Sequence, residues 1–353
     1  MNVLHGSIPL ISVVIAAYNA AATLGEDLRS IWVQTHPAVD VVVVDDGSTD
    51  GRWELLRVRA QGPAVRAFRQ INGGIGAAHN RGMLEAPGQY IALLDADDTC
   101  DPGRLQVQLD YLQQHPDLLL CSTDFSSFDT SGVIERSSIG TYYSRCHARH
   151  GGVRARYPEH GYVLLPIAAC GLEAGARVPC HSGMVFDEIV RGNFIHPGTA
   201  MFRRQALERA GNFDASIRVA CEWEWLVRVA HEGPVGYIDL PLLGYRRSAG
   251  QISSTPAMNL DSLRVARILH ARYPQLRKRD PRAARHQMGN LEVQAAYSLA
   301  PLHRGRALCL LASSLVRHGV LKAISLRSLL RILLPDAIAQ RLRAARGRLR
   351  AAG

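Results

Sequence analysis

The chain has 353 residues, 47% apolar and 20% charged, which is enough for one large domain or two with a sizeable core. Its 31 glycines and 17 prolines are ordinary proportions and exclude collagen-like and low-complexity readings. The formal charge is +10, yet residues 257–353 hold 19 Lys and Arg against 4 Asp and Glu, so the preceding residues are mildly acidic and a basic nucleic-acid groove in the body is excluded.

Strands are predicted over 10–17, 39–45, 65–71, 90–94 and 118–123, alternating with helices over 22–34, 53–60, 75–86 and 104–115. The run Val41-Val42-Val43-Val44 is apolar without alternation, as expected of a parallel strand buried on both faces. Such βαβ alternation predicts an α/β fold, a mainly parallel central sheet with ligands at the carboxyl ends of its strands. Asp101-Pro102 offers an N-cap and first-turn proline to the helix that follows. Residues 126–192 are rich in Ser, Gly, Tyr and His and read as edge strands and long loops, the usual carriers of specificity. Helices are predicted again over 203–210 and 222–231, then a strand over 237–245. From Pro256 onward the chain reads as helical and Arg-rich.

Seven cysteines, an odd number without a CxxC pair, argue for reduced thiols in a cytoplasmic protein. Cys146, His147, His150, Cys170, Cys180 and His181 are zinc-ligating types but lack the CxxC or HxxxH spacing of zinc sites. No run reaches the ~18–20 apolar residues of a membrane-spanning helix. The segment 9–17 resembles a signal-peptide core, but no Lys or Arg precedes it and the βα pattern runs through it, so it reads as a strand.

Two strands end in carboxylates, Val44-Asp45-Asp46-Gly47-Ser48 and Leu94-Asp95-Ala96-Asp97-Asp98. Parallel packing would bring both ends to one edge, where clustered carboxylates repel unless a cation lies between them. Mg2+ or Mn2+, held by one or two carboxylates plus substrate phosphates, suits such a place. The ordinary alternative, Asp as turn former or cap, is preferred for Asp50 and Asp101.

Taken in order, Ser12-Val13-Val14-Ile15-Ala16-Ala17-Tyr18-Asn19, Val44-Asp45-Asp46-Gly47-Ser48-Thr49-Asp50, Asn72-Gly73-Gly74-Ile75-Gly76-Ala77-Ala78-His79-Asn80 and Leu94-Asp95-Ala96-Asp97-Asp98 resemble the family 2 inverting glycosyltransferases. The resemblance implies a GT-A fold over 1–255, with a nucleotide-binding half (1–112) and an acceptor-binding half (113–255), ahead of a helical basic region (256–353). It places the donor nucleotide against Ala17, Tyr18, Asp46, Asn72, Gly74, Asp95, Ala96 and Asp97. Tyr18 would stack on the base and Asp46 would read its edge. Asp97 and Asp98 would hold Mn2+ or Mg2+ on the diphosphate, whose growing charge must be neutralised before it can leave.

Gly74-Ile75-Gly76-Ala77-Ala78-His79 partly mimics a dinucleotide fingerprint, but it arrives two βα units late, which argues against a dehydrogenase. The resembled family often carries arginine where this chain has His79, so that arginine's phosphate contact is not carried over. In the second half, Cys221-Glu222-Trp223-Glu224-Trp225-Leu226-Val227-Arg228 is similar to the family's acceptor-side segment. On that register Glu222 is the general base and Cys221 replaces the preceding acid. Glu224, four residues before Arg228, reads as its helical ion-pair partner. His196, Trp223 and Arg246 are the remaining candidates for acceptor or diphosphate contact, against ordinary roles as turn, core and solvated side chains.

The expected function is transfer of a sugar from a nucleoside-diphosphate sugar, uridine being the family's common base, to an acceptor hydroxyl with inversion in polysaccharide or glycoconjugate synthesis. A catalytically impaired nucleotide-sugar-binding protein is the alternative, motivated by Cys221 and His79. A sugar-phosphate nucleotidyltransferase would want a Gly-rich, Lys-bearing phosphate loop, which the sequence lacks. Residues 325–334 carry an apolar stripe and 341–350 add five arginines. A basic amphipathic helix of that kind lies in a membrane interface, gaining about 1 kcal/mol from each basic residue near an anionic surface. Peripheral contact with the inner face of a membrane, through lipid-linked saccharide chemistry, is therefore expected; helices packed on the domain are the alternative.

Overall fold

The computed structural model describes residues 8–50, 65–144, 152–248 and 251–320, together with Leu329. The chain divides into two compact units, Met1–Ala249 and Gly250–Gly353. The predicted helix over 53–60 and the basic stretches over 325–334 and 341–350 lie outside the described residues, Leu329 apart.

The first unit is built on strands β1 (Ile11–Ala17), β2 (Val39–Asp45), β3 (Val65–Arg69), β4 (Tyr90–Asp95), β5 (Thr99–Cys100), β6 (Leu120–Asp129), β7 (Gly132–Glu135), β8 (Glu159–Leu164), β9 (Arg177–Gly183), β10 (Met201–Arg203) and β11 (Val235–Arg246). They form one sheet in the order β3-β2-β1-β4-β10-β6-β11-β9-β8, with β5 on β11 and β7 on β6. The β3-β2-β1-β4 portion is entirely parallel. Its central strands are buried on both faces, as the unbroken valine run of β2 requires. Beyond β4 the sheet is mixed: β10 runs antiparallel to both neighbours, while β6 and β11 pair in parallel.

Helices α1 (Leu24–Trp32), α2 (Ile75–Glu85) and α3 (Arg104–Gln114) connect these strands. Helix α2 lies close to the sheet at Gly82, where a Cβ would collide with Val14 Cγ1. Helix α3 starts at Arg104, as predicted, but its N-cap position is Gly103 rather than Asp101. Asp101 Oδ1 accepts the Gly103 amide instead, a turn role. Strand β6 runs past the predicted end at 123, since it pairs with β11 as far as Phe128↔Arg246. Its Ser- and Asp-rich extension resembles a loop, yet the buried Asp124 carboxylate is satisfied by the Phe125 and Ile139 amides and the Ser137 hydroxyl.

The remaining helices of this unit are α4 (Ile139–Tyr142), α5 (Phe186–Ile189), α6 (Arg204–Ala210) and α7 (Cys221–Glu232). In the second unit, α8 (Pro256–Arg272), α9 (Gln275–Arg279), α10 (Pro281–Leu299) and α11 (Arg304–His318) follow one another. Asp280 caps α10 by accepting the Ala283 amide, and Gly319 closes α11 in the left-handed conformation. Val293, Ala296, Leu299, Ala300, Ala307 and Leu311 pack between α10 and α11.

Candidate active site at the carboxyl edge of the sheet

Register places the site. Strand β1 lies between β2 and β4, with Ala17 beside Asp45 and Ala16 beside Asp95, so both carboxylate-rich ends emerge at one edge. Tyr18 follows directly and is 53% exposed, a large aromatic face presented to solvent. The two loops beside it are tied together. Asn19 accepts the Thr49 amide and donates its own amide to Ser48 Oγ, and Asp50 accepts the Ala21 amide across the two loops.

Asp46 differs from its expected part. It is buried, with Oδ1 accepting from Gln70 Nε2 (2.8 Å) and the Gly73 amide (2.9 Å), and Oδ2 from the Gly74 amide (2.8 Å). It is a brace that sets the 72–74 loop opposite Tyr18, leaving Asn72 exposed. Gly47 is required here: its φ is 76° and a Cβ would meet the Asn72 amide at 2.9 Å. The fingerprint-like glycines also have a packing cause. Gly74 adopts φ 86°, and a Cβ on Gly76 would lie 3.1 Å from Cys221 Sγ, so the start of α2 is pressed against the start of α7. His79 is buried against Phe213, its pKa pushed down to about 4 by burial, and it is a neutral core ring.

The second carboxylate group forms the floor. Thr23 Oγ1 donates to the Ala96 carbonyl (2.6 Å), and Asp98 turns back to bond the Asp95 carbonyl through its amide. Arg246, at the end of β11, holds this turn: its amide donates to Asp98 Oδ1 (2.9 Å), its Nε to the Asp97 carbonyl (2.8 Å), and its Nη2 pairs with Glu26 (2.7 Å). Asp97 is half-buried and Asp98 fully buried, with Asp98 Oδ2 lacking a hydrogen-bond partner. Burial, reinforced by Asp97 and Glu222, raises the Asp95 carboxyl to about 7. Burial with Asp95, Asp97 and Asp27 nearby pushes Asp98 well above the carboxylate range.

Among the described residues no three potential metal ligands converge. The donor set nevertheless fits a divalent cation that completes its shell from phosphate oxygens. It offers the half-buried Asp97 and an orphaned Asp98 oxygen amid mutually repelling carboxylates.

Glu222 opens α7 and comes within the field of Asp95, far away in sequence. It is half-buried; burial raises its carboxyl, while its own amide and the Cys221 thiol favour the ionised form. Glu224, two residues on, is fully buried and locked to Arg228, which also donates to the Ala210 and Asn212 carbonyls. Trp223 is a core residue rather than a sugar platform: it is buried and its indole donates to the Ile189 carbonyl (2.7 Å). His196 is likewise enclosed, by Phe125, Tyr142 and Tyr245, and burial lowers its pKa to about 3. Cys170, Cys180 and His181 form no metal cluster among the described residues, and Cys146, His147 and His150 lie outside them.

Residues 12–169 match the family description "Glycosyl transferase family 2". The matched stretch, less than half of the chain, is similar to that family. A putative teichuronic acid biosynthesis glycosyltransferase, TuaG of Bacillus subtilis (strain 168), is 30% identical over 122 residues, 34% of this chain and 47% of that protein. The uncharacterized glycosyltransferase YibD of Escherichia coli (strain K12) is 34% identical over 122 residues, 34% of this chain and 36% of its own. The chain thus spans less than half the length of these relatives.

Among solved structures, the mannosyltransferase PcManGT from Pyrobaculum calidifontis, in complex with GDP-Man and Mn2+, superposes with a TM-score of 0.53 at 19% identity, covering 91% of this chain and 79% of its own. S. aureus TarS 1-349 in complex with UDP gives 0.51 at 16%, covering 88% and 92%. The fold is the GT-A type, and the family 2 match runs through both carboxylate-rich strand ends.

Asp27 is a feature of this site that sequence reasoning passed over. Thr23, Ser30 and Gln34 all bond the 96–105 segment from one face of α1 and the turn after it. Asp27 falls on the same face, buried, with both oxygens unpartnered and its pKa pushed up to about 9. The signal was a polar stripe at positions 23, 27, 30 and 34 on an otherwise amphipathic helix.

Proposed function

We propose that the chain is an inverting, metal-dependent glycosyltransferase using a nucleoside-diphosphate sugar, with uridine as the base. The observation that carries this is the convergence of both carboxylate-rich strand ends at one edge of the sheet, with the start of α2 packed on Cys221, next to Glu222, whose charge acts on Asp95. The base lies on Tyr18, with its edge toward the 72–74 loop that Asp46 braces, and the ribose near Asp95 and Ala96. Asp97 and Asp98 would hold a divalent cation, which when bound neutralises charge on the leaving diphosphate. Arg246 fixes the turn and keeps its guanidinium beside it.

Glu222 takes the proton of the acceptor hydroxyl while that oxygen forms the new bond to the anomeric carbon. The bond to the diphosphate oxygen breaks on the opposite face, giving inversion and releasing the nucleoside diphosphate. Uridine is supported by the UDP complex of TarS, a cation by the Mn2+ complex of PcManGT, and a polysaccharide or glycoconjugate product by the name of TuaG.

Calorimetric titration with UDP, GDP, TDP and CMP, with and without Mn2+, tests the donor site. Metal-dependent binding of UDP is expected, and Asp97→Ala should weaken it at least about tenfold, the equivalent of 1.4 kcal/mol. Folded protein that binds no nucleotide would contradict the proposal and favour a non-catalytic role. Tight binding of another diphosphate alone would replace the base.

A further inference from the structure

Helix α11 carries two apolar faces. Ala307, Leu311 and Ser314 are buried, and the first two belong to the core shared with α10. On the opposite side Leu308 (40% exposed), Ala312, Leu315 (44%) and Val316 (85%) face solvent, with Cys309 between them. At 100° per residue these five positions span a stripe about 120° wide. Arg304 lies at one border, and Arg306 and Arg317 at the other, all exposed. Just before the helix, Leu302 is also exposed at 64%.

A helix needs only one apolar face to pack in a bundle, and a second one exposed in a row is the mark of a docking surface. The charge around it indicates the occupant. Residues 257–353 carry 19 basic and 4 acidic side chains, a field that attracts an anionic partner and opposes a second copy of itself. An apolar stripe between arginine borders is the footprint of a helix lying in the plane of an anionic bilayer, with Leu and Val among the acyl chains and guanidinium groups at the phosphates.

We propose that α11 docks the second unit on an anionic membrane surface through Leu308, Ala312, Leu315 and Val316. This does not rest on the donor-site reading. It extends the sequence expectation, which located membrane contact in the 325–350 stretch, to a defined helix face.

The test is flotation of the full chain with phosphatidylcholine vesicles and with vesicles containing phosphatidylglycerol. Binding to the anionic vesicles only, weakened by salt, is expected. The triple variant Leu308→Gln, Leu315→Gln, Val316→Gln should lose at least about tenfold in partition, about 1.4 kcal/mol. Circular dichroism and unchanged nucleotide affinity would show that the variant is folded. Should the variant misfold, the single substitution Val316→Gln, at the most exposed position, still reports a measurable loss. Wild-type protein that stays off anionic vesicles would overturn the proposal. So would a folded triple variant that binds as tightly as wild type, or a wild-type dimer that the variant converts to monomer without change in vesicle binding.

Discussion

Glu222→Gln is expected to reduce sugar transfer by about 10²–10⁴-fold, the usual contribution of a positioned base, with thermal stability unchanged. The amide preserves shape and donor contacts but cannot take a proton from the acceptor hydroxyl. Because Glu222 is half-buried, burial raises its carboxyl above the ordinary range. The base must be unprotonated, so activity falls as pH drops through that raised value. The acidic limb of kcat/KM should therefore lie at higher pH than an exposed glutamate would give, and Glu222→Gln should abolish that limb. A variant that keeps its rate, or a limb at the ordinary carboxylate pH, would remove Glu222 from the chemistry.

Glu224→Gln should do the reverse. Glu224 is fully buried and its carboxylate receives Arg228 Nε and Nη2 at 2.9–3.1 Å, while Arg228 ties down the 210–212 turn. Removing the charge leaves the guanidinium, 15% exposed and still donating to the Ala210 and Asn212 carbonyls, without its counter-charge, at a cost of about 1–3 kcal/mol. Chemical denaturation should show that loss, while kcat per folded molecule stays near wild type. If instead Glu224→Gln were stable and inactive, the two glutamates would have to exchange roles. The pair thus separates a residue used for chemistry from one used for architecture, two positions apart on one helix.

Much of this was legible in the amino-acid order. The valine run of β2 could be nothing but a strand covered on both faces, and its bounds at Val39 and Asp45 follow from where apolar residues begin and acids end. The carboxylate ends of β2 and β4 were readable for the same reason, though not that β1 would lie between them. Which carboxylate is occupied was not legible. Asp46 and Asp98 look alike in sequence, yet the first is saturated by three donors while the second keeps one oxygen without a hydrogen bond.

Long-range pairing explains the other differences. The end of β6 is polar and becomes strand because β11 and β7 flank it, and the buried Asp98 is capped by the amide of Arg246. Trp223 and His196 were candidates by residue type, and burial, a tertiary property, decides against both. Asp27 shows the converse. A buried carboxylate on a helix face is invisible to motif reading, though the polar stripe it shares with Thr23, Ser30 and Gln34 could have pointed to it.

The most direct measurement is phosphorus NMR of the chain incubated with Mn2+ and UDP-, GDP- and TDP-sugars, with water as the default acceptor. The expected result is slow appearance of a nucleoside diphosphate from one donor, lost in Glu222→Gln while nucleotide affinity persists. Pyrophosphate formed from a sugar phosphate and a nucleoside triphosphate in the parallel reaction would contradict glycosyl transfer and make the site a nucleotidyltransferase.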